Sequence, residues 1–399
     1  MSTLSLLLSG SKSESNRALL LQALFPDMTI GNLAIADDTR IFQKALLNMS
    51  PLFDVHHAGT AMRFLTAYFA TQRGVDLTLL GSERMCQRPI GVLVEALRAL
   101  GADITYTQNE GYPPLRIRGR ALKGSQVSLR GDVSSQYASA LLLIAPSLPK
   151  GLTLNLTGEI TSLPYLQMTV RFLQYMLGEN VAQFVDERTI IVKPCDELLH
   201  DHWQVESDWS SASYWYSCVA LSQVGTQLKL SHFKQDSLQG DSALQQLYLP
   251  LGVRTIFQGT TLVIEKVSTP TTAHYTAHLN NTPDIAQTIA VTCLGLGIGA
   301  TLTGLHTLKI KETDRLQALK NEMEKLQAAV HITDDTLQLA PCAELGRGVS
   351  ISTYNDHRMA MAFAPLLLKT DFQIADKEVV SKSYPNFWDD FAEVMEFCK

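Results

Sequence analysis

The sequence lacks clustered cysteines, charge runs, low-complexity linkers and any long unbroken apolar stretch, and each absence removes a class of protein. The six cysteines, Cys86, Cys195, Cys218, Cys293, Cys342 and Cys398, are scattered, with no pair at metal or redox spacing. Zinc chemistry and a disulfide framework are therefore disfavoured, and reduced thiols in a cytoplasmic setting are expected. The most apolar stretch, residues 289–305, is interrupted by Thr292, Gly295, Gly297, Gly299 and Thr303, short of the continuous run that a membrane helix needs. The opening residues carry no basic segment and run at once into a glycine–lysine turn at Gly10 and Lys12, so they read as a first strand rather than a signal peptide. Acidic residues outnumber basic ones, 39 to 33, for a net charge of −6. That balance argues against a nucleic-acid partner but says nothing of a local positive cleft.

With 399 residues, 46% apolar and 18% charged, the chain has the composition of a soluble α/β protein and is too long for one core. A repeat organises it. Six times a pair of apolar, helix-length segments recurs, and most pairs open on a cluster of small or charged residues: Gly10-Ser11-Lys12-Ser13 through Arg17, Ala58-Gly59-Thr60 through Arg63, Ser134-Ser135-Gln136, Ser210-Ser211, Thr282-Pro283-Asp284 and Asn355-Asp356-His357-Arg358. The second helices end in similar junctions, Leu100-Gly101, Leu177-Gly178, Leu251-Gly252 and, without the glycine, Leu326-Gln327; these positions lie 77, 74 and 75 residues apart. Glycine just past a helix supplies a left-handed cap. The period is longer than that of a solenoid, which runs to roughly 20–50 residues. Strand-like segments at residues 152–156, 227–230 and 261–264 alternate with the helices, as βα units with parallel pairing require. Six units suggest two domains of three, one spanning residues 10–207 and the other residues 1–9 with 208–399. The first unit is shortened, because only 15 residues separate Arg40 from His56 and leave no room for its last strands.

Helix N-termini present free N–H groups and a positive dipole end, so several such starts facing one cleft would bind anions. Lys12, Arg17, Arg63, Arg88, Arg315 and Arg358 are read as standing in equivalent places at these starts, where a cation opposes the dipole unless an anion is there to be bound. Lys311-Glu312-Thr313-Asp314-Arg315 precedes an amphipathic run through Leu316, Leu319, Met323 and Leu326; the plain alternative is a charged first turn capped by Thr313 or Asp314. Ser134-Ser135-Gln136 offers neutral donors for a phosphate, or else an ordinary serine cap. Ser210-Ser211 has the same form but no basic neighbour in sequence, which favours a cap and packing role. Asp284 is either a dipole-stabilising first-turn acid or, among cations, a base for a substrate hydroxyl; Glu312 is the second acid. His56 and His57 have no third partner at metal-binding spacing.

Together these clusters, with Gln87-Arg88-Pro89 and Lys382 before Tyr384-Pro385, resemble the 5-enolpyruvylshikimate-3-phosphate synthase family along the whole chain. The resemblance implies an α/β enolpyruvyl transferase fold of two domains, each of three βαβαββ repeats about a pseudo-threefold axis. It implies transfer of the enolpyruvyl group of phosphoenolpyruvate to the 5-hydroxyl of shikimate 3-phosphate, in the pathway to chorismate and the aromatic amino acids. Ser13 and Arg17 would bind the shikimate carboxylate and Ser134, Ser135, Ser162 and Lys311 its phosphate, with Gln136 and Tyr165 lining the ring site beside Lys12 and Asp284. Lys12, Gly59, Arg88, Gln136, Arg315, Arg358 and Lys382 would surround phosphoenolpyruvate. Asp284 would take the hydroxyl proton, and Glu312 and Lys12 are both candidates for proton transfer at carbon. No metal, cofactor, membrane or nucleic acid is implied, and the chain is expected to be a monomer. His57 departs from the asparagine usual before Ala-Gly-Thr, and Thr307 stands near a position often held by asparagine. The related UDP-N-acetylglucosamine enolpyruvyl transferases use a loop cysteine upstream of Arg-Pro, whereas Cys86 here lies only two residues before Arg88. A non-catalytic binding protein on this scaffold should have lost acids or cations that this chain keeps.

Overall fold

The computed structural model describes residues 3–48 and 50–398. Contacts divide the chain into two units, Gly10–Val205 and Met1–Ser9 with Glu206–Lys399, so the second passage between units falls at Val205–Glu206.

In the Gly10–Val205 unit, two repeats build four-stranded sheets of one topology. Strand Leu52–Asp54 runs parallel to Asp76–Leu80 with helix Gly59–Thr71 between them. Helix Gly91–Ala99 then leads into the strands Asp103–Tyr106 and Leu115–Arg118, the latter pairing antiparallel with Asp76–Leu80. The next repeat copies this with Gln126–Arg130, Leu152–Thr157, Ala182–Phe184 and Thr189–Val192. Alternation sets which face is covered: Leu115 and Ile117 turn inward against Leu79 and Leu77, while Arg116 and Arg118 face solvent. The shortened first repeat has two strands, Thr29–Gly31 paired in parallel with His202–Gln204, a strand supplied by the far end of the unit.

The other unit is built alike. Leu4–Leu6 is the parallel partner of Gln227–Leu230, which continues through Thr261–Lys266 to Val253–Gln258. The fifth repeat orders His274–His278, Gly299–Thr303, Leu337–Leu339 and Val330–Ile332 in the same way. One feature departs from the expected pattern: the sixth repeat also has only two strands among the described residues, Val349–Ile351 and Phe372–Ile374, followed by its second helix, Phe387–Cys398.

The first helix of each repeat is central. Lys12–Leu24, Gly59–Thr71 and Ser135–Ile144 pack on one another in one unit, and Trp209–Leu221, Ala286–Gly295 and His357–Phe363 do so in the other. These helices are covered nearly all round; in Trp209–Leu221 every residue but Ser210 is buried. The outer helix Arg315–Lys325 instead buries Leu316, Leu319 and Met323 as its period predicts and exposes Gln317, Glu324 and Lys325, while its charged residues Arg315 and Glu322 are buried with the apolar face. At the ends of the outer segments Gly101, Gly178 and Gly252 take φ of 104°, 115° and 81°, and Gln327 adopts the same left-handed region at 69° without glycine. Gly252 has a second reason to be glycine, since a Cβ there would stand 2.1 Å from the Ser268 carbonyl oxygen.

Candidate active site

Because the inner helices pack together, their starts are brought to one end of each unit, and the two sets of candidate residues are built there. In the Gly10–Val205 unit, Gln136 Nε2 donates to Thr60 Oγ1 at 3.3 Å, joining the starts of two inner helices. Ser134 caps its helix by accepting the Gln136 N–H at 3.3 Å, whereas the hydroxyl of Ser135 makes no hydrogen bond among the described residues. Ser162, just before helix Leu163–Leu177, is held at φ 55°, ψ 40°, a left-handed conformation that is uncommon outside glycine and clusters at functional sites.

Arg17 is 3% exposed and uses four N–H groups on neutral oxygens: Thr169 Oγ1 at 2.8 Å, Ser13 O at 2.8 Å, Ser139 Oγ at 3.0 Å and Tyr165 O at 3.2 Å. Burial pulls its pKa down to about 10, against the opposing influence of Tyr165 and Glu14. The result is a buried cation whose bonded partners carry no charge, leaving one N–H on Nη1. Lys12 opens its helix and pairs with Asp38 Oδ2 at 3.1 Å. Asp38 was not expected from sequence; the signal available was the Asp37-Asp38 pair at the next helix start.

Gly59 opens the second inner helix, and a Cβ there would lie 2.8 Å and 3.1 Å from the two terminal nitrogens of Arg88. Arg88 is 8% exposed, with no hydrogen-bond partner for Nε among the described residues. Its backbone is fixed through the neighbouring Pro89 carbonyl, which accepts from Tyr137 Oη and from Arg63 Nη2. The cations are not in equivalent places, as the sequence reading had them. Arg17 and Arg63 lie one turn into their helices, each donating to the carbonyl four residues back, and Arg88 lies in the connection between Glu83–Cys86 and Gly91–Ala99. Cys86 donates to the Gly81 carbonyl at 3.6 Å from the end of a short helix.

In the other unit one ionic network gathers three sequence motifs. Arg315, 1% exposed, opens helix Arg315–Lys325 and donates to three carboxylates: Asp356 Oδ2 at 2.7 Å, Asp284 Oδ1 at 3.0 Å and Glu312 Oε2 at 2.8 Å. Asp314 caps this helix through the Gln317 N–H at 3.1 Å. Asp284, in the 3₁₀ turn Pro283–Ile285 that leads into an inner helix, also lies 3.3 Å from Lys311 Nζ and 3.4 Å from Arg358 Nη2. Burial alone would push its carboxyl up, but Lys311, Arg358 and Arg315 outweigh that and hold it well below the usual carboxylate range. Burial likewise works against the Arg315 charge, and Asp356, Glu312 and Asp284 more than restore it. Asp356 is fully buried, grips Arg315 and caps the Arg358 N–H at 2.9 Å. Lys382, 9% exposed, donates to the Asn355 carbonyl, in a turn where Tyr354 and Asn355 take φ of 55° and 54°.

Ser210 corrects another expectation. It is capped by Asp208 rather than acting as cap, and a basic residue does accompany it: Arg358 Nη2 lies 3.4 Å from its Oγ, a contact 148 residues away in sequence. Thr307 is buried in the turn His306–Ile310, its hydroxyl without a partner among the described residues. His56 pairs with Asp54 at 3.2 Å.

The sequence matches the EPSP synthase (3-phosphoshikimate 1-carboxyvinyltransferase) family over residues 49–391. The chain belongs to this family. It is 46% identical over 388 residues to the 3-phosphoshikimate 1-carboxyvinyltransferase of Bacteroides fragilis, covering 96% of this chain and 93% of that one. It is 35% identical over 418 residues to the enzyme of that name from Colwellia psychrerythraea, covering 97% and 96%. An EPSP synthase structure from Acinetobacter baumannii superposes with a TM-score of 0.75 at 20% identity, covering 98% of this chain and 95% of that one, which identifies the two-domain enolpyruvyl transferase fold. Among the described residues no helix is long and apolar enough to cross a membrane.

Proposed function

We propose that this chain transfers the enolpyruvyl group of phosphoenolpyruvate to the 5-hydroxyl of shikimate 3-phosphate and releases phosphate. Family membership supplies the reaction, and one observation in the structure supports its assignment to these residues: Asp284 stands among Lys311, Arg315 and Arg358 at 3.0–3.4 Å, a carboxylate placed where anions would be held. The hydroxyl oxygen adds to C2 of phosphoenolpyruvate while C3 gains a proton, and the tetrahedral adduct then loses a C3 proton and phosphate. Asp284 takes the hydroxyl proton, and Glu312 and Lys12 are the groups for exchange at C3. Asp284 begins as a poor base because its cations hold it ionised. Substrate anions that draw on those cations raise its proton affinity, so binding activates the base.

In the Gly10–Val205 unit, Arg17, a buried cation hydrogen-bonded only to neutral oxygens with one N–H left on Nη1, suits the shikimate carboxylate together with Ser13. Ser134, Ser135 and Ser162 take the phosphate, and Gln136 and Tyr165 the ring. Also in this unit Arg88 beside Gly59, with Lys12 and Gln136, takes phosphoenolpyruvate; considered by itself, the Glu206–Lys399 unit offers Lys311, Arg315, Arg358 and Lys382 as cations for substrate anions. Fixed cations of this kind stabilise developing charge without reorganisation. We further infer a cytoplasmic monomer needing no nucleic acid, since every assigned residue lies on one chain of net charge −6. Phosphate release from both substrates together, and from neither alone, is the expected result; release from phosphoenolpyruvate alone, or none, refutes the assignment.

A further inference from the structure

Asp241 belongs to none of the motifs above. It lies in the 3₁₀ turn Gly240–Ala243, is 2% exposed, and has both oxygens occupied by hydroxyls. Oδ2 accepts from Ser210 Oγ, and Oδ1 accepts from Thr282 Oγ1 at 2.7 Å. Each hydroxyl belongs to a residue that positions the network. Ser210 stands at the start of an inner helix with its Oγ 3.4 Å from Arg358 Nη2. Thr282 is the residue before Pro283-Asp284, and the Asp284 carbonyl in turn accepts from Arg358 Nη1 at 3.2 Å. A buried carboxylate held only by neutral donors is an unfavourable arrangement on its own account. It is the more so beside Asp284, a like charge.

We propose that Asp241 is a positioning residue for the reaction: as a carboxylate it fixes the hydroxyls of Ser210 and Thr282, which aim Arg358 and Asp284, and on protonation it lets go of one of them. The proposal rests on the reading of Asp284 and Arg358 given above. Its chemistry is that of donors and acceptors. An ionised carboxyl accepts from both hydroxyls at once, whereas the protonated group must donate through one oxygen, so one hydroxyl has to turn round. If that is Ser210, its hydrogen turns away and meets the guanidinium of Arg358, itself a donor.

The charged groups acting on Asp241 are Asp284 on the turn Pro283–Ile285 and Arg358 on helix His357–Phe363. Burial and then Asp284 push the Asp241 carboxyl up to about 6, with Arg358, Ser210 and Thr282 pulling the other way. Asp284 is held well below the usual range by its own cations. The acid limb that Asp241 sets is therefore recognised by its dependence on Ser210 and Thr282, the two donors on its oxygens.

The test is the pH profile of kcat for the full chain, wild type against Asp241→Asn. The expected wild type shows an acid limb near pH 6; Asp241→Asn, fixed in the donor-bearing form, loses about 10- to 100-fold in kcat with a smaller change in KM and has no such limb. Ser210→Ala and Thr282→Val each remove a donor that favours the carboxylate, so each moves the limb to higher pH, a shift that a purely structural role would not produce; they also serve if Asp241→Asn does not fold. Turnover by Asp241→Asn with the wild-type limb intact, or limbs unmoved in both hydroxyl variants, overturns the proposal alone. A wild type that releases no phosphate from the two substrates overturns the reaction assignment, and the positioning role with it.

Discussion

Replacing Asp284 with asparagine removes its charge and keeps its shape, and the structure makes an unusual pair of demands on the result. Asp284 occupies three cations, with Oδ1 3.3 Å from Lys311 Nζ and 3.0 Å from Arg315 Nη1 and Oδ2 3.4 Å from Arg358 Nη2. A substrate anion that uses these cations competes with it. The Asp284 side chain is still 20% exposed, so each pair is partly screened. At about 0.2–1 kcal/mol per pair, the three sum to about 0.6–3 kcal/mol, or roughly a 3- to 150-fold gain in anion affinity when the charge is removed. Turnover should move the opposite way, falling about 10²- to 10⁴-fold for loss of a general base. Calorimetric titration of Asp284→Asn with phosphoenolpyruvate and with inorganic phosphate, set beside a phosphate-release assay, measures both. Anion affinity unchanged or weakened in the variant would refute the competition argument, and near-normal turnover would return Asp284 to the status of a first-turn acid.

Arg315→Ala leaves the fully buried Asp356 facing no guanidinium and should destabilise the protein by about 3–5 kcal/mol in denaturant unfolding, since it breaks a buried pair by removing one partner; a loss below about 1 kcal/mol, the scale of a surface pair, would contradict that reading. Gly59→Ala drives a methyl to within 2.8 Å of Arg88 and should raise KM for phosphoenolpyruvate while leaving the affinity for shikimate 3-phosphate nearly unchanged; equal effects on both would be against it. Ser134→Ala and Ser135→Ala should part company: the first loses a helix cap, about 1 kcal/mol of stability, as well as binding, and the second loses only binding of shikimate 3-phosphate. Calorimetry showing full affinity in Ser135→Ala would remove that serine from the phosphate site.

The sequence alone determined the features that repeat locally. A helix start is written in a few adjacent residues, so the clusters at Lys12, Gly59, Ser134, Asp284 and Arg358 were legible without coordinates, as were the glycine junctions and the missing strands of the first repeat. Their order along the chain was enough to point to the family. What could not be read is what depends on distant partners. Lys12 meets Asp38 across 26 residues, Arg315 meets Asp356 across 41, and Arg358 reaches Ser210 across 148; none of these pairings leaves a periodic trace. For the same reason Ser210 looked like a neutral cap and Asp241 like nothing at all. The pairing of His202–Gln204 with Thr29–Gly31, which completes the shortened repeat with a strand from the far end of its unit, is likewise a tertiary decision. Each of those three-residue strands is too short to hold structure by itself and takes its place only from the sheet it joins. Local sequence sets where helices begin; only the packing of three inner helices in each unit decides which of their starts share a carboxylate.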